Sequence, residues 1–154
     1  MAETMRFPYQ SFLDLLERSV DEATNDAGFM ASPMLAGMLV TLGEPRAWTP
    51  AAAALVPLLK ARRATLQAAF DTTLAADELR RYQKFAKPGK PSAHIVQLRQ
   101  KQAAARQATS IARQSLIKAA AAFVRDAGIE APERTPLDEF IIAWIDAHVP
   151  RDDP

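Results

Sequence analysis

Cysteine is absent from this chain of 154 residues, and histidine occurs only twice. The first absence removes disulfide frameworks, thiol nucleophiles and thiolate metal sites together, and it suits a reducing compartment. Long alternating runs of Val, Ile, Thr and aromatic residues are also missing, so strands have no candidate segment. The longest uncharged run, Ala27 to Gly43, is interrupted by Gly28, Ser32, Pro33 and Gly37. A spanning helix needs about 20 predominantly apolar residues, so a buried helix is expected there, with a segment lying in a membrane surface as the alternative. No secretory signal is expected either, because Glu3 stands where a basic region would be. A soluble cytoplasmic protein is the resulting expectation.

The most informative absence is of acid. Between Glu78 and Asp126 there is no Asp or Glu, yet that span carries eleven of the nineteen Lys and Arg residues. The formal net charge of +1 therefore hides an acidic–basic–acidic chain. A span of this kind first suggests nucleic acid. Against that stand a sequence pI near 8.1 and acidic flanks, where nucleic-acid-binding domains commonly exceed about 9. Aromatic side chains for base stacking are scarce as well, with only Tyr82 and Phe85 in the basic span before Phe123.

What is present is helical punctuation. Ser32-Pro33, Thr49-Pro50 and Thr135-Pro136 each place a hydroxyl N-cap before a proline at the first helical position, where its missing N–H is harmless. Ser92 caps a further start, and Gly43 and Gly128 mark helix ends, with Ile129 folding back on Val124. Six segments follow, about 8–26, 33–42, 50–70, 74–85, 92–127 and 136–149. The second is apolar nearly all round, and Gly37 within it suggests close helix contact. The third bends at Pro57 and is able to continue into the fourth. The expected fold is all-α: one compact bundle of five or six helices over residues 1–150, with the long helix 92–127 as its spine and 151–154 a frayed tail.

On helix 92–127, Leu98, Ala105, Ala112, Leu116 and Phe123 share the packing face, bordered by Thr109 and Ala119. Away from it the dipeptide Arg-Gln recurs every seven residues, at Arg99-Gln100, Arg106-Gln107 and Arg113-Gln114, with Lys118 and Arg125 beyond. Seven residues are nearly two helical turns, so successive pairs lie about 10.5 Å apart and drift only about 20° per heptad. Three readings follow: pairing in cis with Asp14, Glu17, Asp21 and Glu22 of the first helix, an acidic protein partner or second copy of the chain, or nucleic-acid phosphate.

Lys84, Lys87 and Lys90 lead to the helix start at Ser92, where free N–H groups and the helix dipole favour an anion. A plain basic turn explains the same residues, because Lys84 and Pro91 stand where a phosphate loop needs Gly and Ser or Thr. Neither His94 nor His148 has a carboxylate at ligand spacing within an apolar cleft pattern, and the acids Asp14, Glu17 and Asp21 read as a solvated face. No metal, cofactor or catalytic residue is implied. The sequence points to a non-enzymatic binding or adaptor protein working through the basic face of helix 92–127, with nucleic-acid contact through residues 80–125 as the alternative.

Overall fold

Local rules start and stop most of the helices. In a computed structural model that describes residues 5–26, 29, 33–43, 45–84 and 92–152, six helices form among the described residues and no strand. They are α1 (Gln10–Leu16), α2 (Val20–Thr24), α3 (Pro33–Leu39), α4 (Pro50–Gln83), α5 (Ala93–Ala127) and α6 (Leu137–His148). Thr49 caps α4 by accepting from the Ala52 N–H at 3.2 Å, and Ser92 caps α5 by accepting from Ile95 at 3.2 Å. At the far end of α5, Gly128 takes φ 68°, and Ile129 N–H reaches the Val124 carbonyl at 2.9 Å, the closing bond of a Schellman ending. The expected cap Ser32 and the site lysines Lys87 and Lys90 lie outside the described residues.

Four expectations are corrected. The first helix breaks after Leu16, because Ser19 caps a new start, accepting from the Glu22 N–H at 3.3 Å. The break exposes the Arg18 carbonyl, which receives the Trp48 indole N–H at 3.2 Å. Helix α6 begins at Leu137, since Pro136 has an extended ψ of 141° and Thr135 makes no cap. Helix α3 stops at Leu39, well before Gly43, because Val40 leaves the helix to bridge Trp48, with Thr41 N–H bonded to the Ala47 carbonyl at 2.9 Å. Only Leu35 and Leu39 of α3 are fully buried, and among the described residues a Cβ on Gly37 would meet nothing within 4 Å, so none of the described helices approaches there.

The third and fourth expected segments are one helix, running unbroken through Pro57, whose ring is exposed. At 34 residues, α4 spans about 51 Å, nearly matching α5 at 35 residues. The two pack antiparallel as a hairpin. At its middle Thr72 and Thr109 face each other, their hydroxyl oxygens 3.0 Å apart, and each also donates to its own helix four residues back (Thr72 to Ala68 at 2.8 Å, Thr109 to Ala105 at 3.0 Å). Small buried Ala68, Ala75 and Ala112 permit this approach.

Around one half of the hairpin the other helices build the main core. Leu13, Leu35, Leu39, Leu55, Leu58, Leu59, Phe123, Ile141 and Ile145 are fully buried within it. Aromatic contacts tie it together: Phe12 stacks on Phe29 at 6.1 Å, Phe29 meets Trp48 edge-on at 5.9 Å, and Phe123 meets Trp144 at 5.0 Å. Towards the hairpin tip a separate cluster, Leu79, Ile95 and Leu98, holds α4 to α5. The described part of the C-terminal tail is tethered, since Asp152 N–H bonds the Pro8 carbonyl at 2.7 Å and its carboxylate accepts from Ser11 N–H at 3.2 Å. That carboxylate caps α1, which has no side-chain cap of its own.

Candidate functional site

Helix α5 buries Ile95, Leu98, Ala112, Leu116, Ala120 and Phe123, so its packing face follows the spacing read from the sequence. Arg99, Arg106 and Arg113 then form one exposed column along the flank, and Gln100, Gln107 and Gln114 a second exposed column about 100° further round. Arg99 and Arg106 have no ion-pair partner among the described residues. Arg113 donates from Nε to Asp138 Oδ2 at 2.9 Å. This bond holds the Asp138 carboxyl below its ordinary range, and it raises the Arg113 guanidinium in turn. Lys118 and Arg125 are exposed on the side of the glutamine column. Arg125 lies about 39 Å along the axis from Arg99 and pairs with its neighbour Asp126 at 3.5 Å. The eight residues therefore make a long strip, with the unpaired arginines at the tip end.

The acids of the N-terminal segment are engaged elsewhere. Glu17 pairs with Lys60 of α4 at 3.3 Å, Asp14 accepts from Gln10 at 2.9 Å, and Asp21 and Glu22 sit in the first turn of α2, where the helix dipole favours them. None of these bonds reaches α5. The arginine column is paired in cis from α6 instead, through Asp138 to Arg113.

The two edges of the hairpin differ in charge. Glu78 pairs with Lys101 at 3.2 Å across one edge. Arg80 and Arg99 stand two residues from these, about 200° round their helices, which puts both on the other edge. The α4 positions on that edge between Ala68 and Arg80 are Ala69, Thr73 and Ala76, small and uncharged. Arg80, itself paired with Asp77 at 3.5 Å, thus joins the basic face. Its place at the start of the acid-free span is the signal that would have found it.

At the tip, Lys84 is exposed and forms the C-cap of α4, while the Ser92 hydroxyl is occupied in capping α5. His94 is exposed and packs edge-on against Tyr82 at 4.4 Å. Of the expected anion site, these are the parts the described residues contain.

A second polar cluster was not legible in the sequence. The Tyr9 hydroxyl donates to Asp146, Arg151 donates from Nε to the Tyr9 oxygen at 3.2 Å, and Arg151 lies 3.7 Å from Asp146. Burial and the bond to Asp146 push the Tyr9 phenol up. Half-buried Arg62 approaches the same acid, its own pKa lowered by burial and its Nε unpartnered. The arrangement fastens the C-terminal tail to α1. A shallow cleft of about 520 Å³ beside it is open and charged, lined by Asp14, Arg18, Asp26 and Arg151 among others. Among the described residues no group of three or more His, Asp or Glu side chains is placed to hold a metal ion, and no helix is long and apolar enough to cross a membrane.

No protein-family model matches this chain, and neither a curated protein nor a solved structure shows significant similarity to it.

Proposed function

We propose that this is a non-enzymatic binding or adaptor protein whose working surface is the basic face of the α4–α5 hairpin, and that it engages an acidic protein partner. The observation that carries the reading is the contrast along one column. Arg113 is met by an acidic residue of a packing helix, whereas Arg106 and Arg99, one and two heptads away towards the hairpin tip, have no acid among the described residues. Arginine suits such a role because its planar fork engages carboxylates with fixed geometry and at all accessible pH. A second copy of the chain is a weaker candidate through this face, since α5 has no acid before Asp126 to meet the arginines. Nucleic acid remains the alternative, supported by the same unpaired arginines with Arg80 and Lys84.

The experiment is chemical crosslinking in cells with a photoreactive residue at position 103 or 110, followed by comparison with the double variant Arg99→Ser/Arg106→Ser. A partner of acidic composition whose crosslink vanishes in the double variant supports the reading. Anisotropy titration with duplex DNA and RNA runs beside it at two salt concentrations. Tight, strongly salt-dependent binding to either, combined with no arginine-dependent protein crosslink, overturns the protein-partner reading.

A further inference from the structure

We propose that α5 presents an acceptor face for one helix of an acidic partner, which inserts side chains into a row of preformed holes. The inference rests on the protein-partner reading and specifies its geometry. Between the arginine and glutamine columns runs a third column with the same period: Val96, Ala103, Ser110 and Ile117. Residues at i, i+3, i+4 and i+7 of a helix enclose the hole that receives a knob in coiled-coil packing. Val96, Arg99, Gln100 and Ala103 enclose one, and Ala103, Arg106, Gln107 and Ser110 the next. Each has small or apolar residues at its ends, an arginine on one side and a glutamine on the other. All these side chains are exposed, with Val96 at 42%. A third hole, ending at half-buried Ile117, already has its arginine engaged by Asp138, so the open stretch is two holes long.

The chemistry of the occupant follows from the holes. Small end residues at Ala103 and Ser110 leave room for a leucine-sized knob, and two knobs one heptad apart match the two holes. Flanking arginines call for carboxylates at the same seven-residue spacing, while the glutamines accept or donate on the other flank. A second α5 is disfavoured as occupant, because it carries no acid before Asp126 to meet the arginines. A nucleic-acid backbone would use the arginines but has no use for the small and apolar residues between the columns.

The test uses a synthetic helical peptide of three heptads, with leucines at the knob positions and two glutamates at the flanking positions seven residues apart. A control peptide has the same composition with the glutamates moved two positions round the helix. The matched peptide is expected to bind by fluorescence anisotropy, more weakly as salt rises. Moving its glutamates, or making Arg99→Ala/Arg106→Ala, is expected to weaken binding about fivefold, as two exposed ion pairs would. Ala103→Trp fills a hole without changing charge and is expected to abolish peptide binding. The circular dichroism of that variant should be unchanged, since position 103 is exposed. Equal peptide binding by Ala103→Trp and wild type overturns the acceptor face. Polyglutamate separates the two levels. If it binds wild type and Ala103→Trp alike and the matched peptide gains nothing over it, the holes are wrong and the acidic-partner reading stands. If neither acidic probe binds at low salt, both fall, whether or not duplex DNA binds.

Discussion

Leu116 and Leu98 occupy the same face of α5 but different surroundings, and their truncation tests whether the hairpin is anchored mainly at one end. Leu116 is 1% exposed within the main core. Leu98 is 4% exposed, yet among the described residues its separate cluster contains only Leu79 and Ile95 besides itself. Replacing leucine by alanine removes three carbons, worth about 2.4 kcal/mol at about 0.8 kcal/mol each. Around Leu116 the walls are held by α4, α5 and α6, so a cavity of roughly 60–80 Å³ should persist and add about 1.5–2 kcal/mol. Leu116→Ala is therefore expected to cost about 4 kcal/mol, lowering Tm by roughly 8–16 °C at this chain length. Around Leu98 two helices can close in and solvent lies near, so the cavity term should largely vanish and the cost fall to about 2.4 kcal/mol, the transfer term alone. Urea unfolding followed by tryptophan fluorescence and by circular dichroism measures both, because Trp48 and Trp144 lie in or against the main core. Hydrogen exchange should also show residues 95–105 opening at lower free energy than residues 115–124. Equal costs at the two positions, with uniform protection along α5, would refute the reasoning.

Three further outcomes are expected. Gly37→Ala should stabilise the protein by about 0.4–1 kcal/mol in the same urea titration, since Gly37 is an exposed helical glycine with open space where its Cβ would go; a loss of stability would mean that the site is crowded. Tyr9→Phe keeps the ring and removes the hydroxyl between Asp146 and Arg151, and should cost about 1–3 kcal/mol. Because the folded phenol is raised above 10.0, its neutral form is the stabilised one: this contribution is present below pH 10 and lost as pH rises through the folded value, so wild type should lose stability at alkaline pH more steeply than Tyr9→Phe. Asp138 is depressed below its ordinary 3.8, so its contribution is present above that pH and lost as pH falls through the lower folded value; Asp138→Asn should flatten the acid limb of the stability curve, and an unchanged limb would remove the Arg113 pair from the account.

Features that depend on a few neighbouring residues are legible in the sequence alone. Thr49, Ser92 and Gly128 act as read, because a hydroxyl two or three residues before free N–H groups and a glycine in the left-handed region are local solutions to helix ends. The break at Ser19 had its local sign too, Ser19-Val20-Asp21-Glu22 matching the capping-box pattern, but the apolar spacing on either side concealed it. Leu42 shows the opposite failure. It reads as core by hydropathy and is 96% exposed, because pairing of Val40 with Trp48 turns the chain away. The basic face was legible as a column, but its division was not. That Arg113 is taken by Asp138, that Arg80 shares the edge, and that the N-terminal acids look elsewhere depend on how distant helices pack.

By itself the sequence determined an all-α chain, a 35-residue helix with a buried stripe, and arginines repeated every seven residues beside it. Periodicity sufficed for these, because the helix repeat alone sets which side chains share a face. Tertiary structure decided that two separate segments form one helix of 34 residues, that this helix lies antiparallel to α5, and that α6 covers one end of the arginine column while two arginines stay open. Those outcomes arise from contacts between residues far apart in the chain, whose partners a linear pattern does not name.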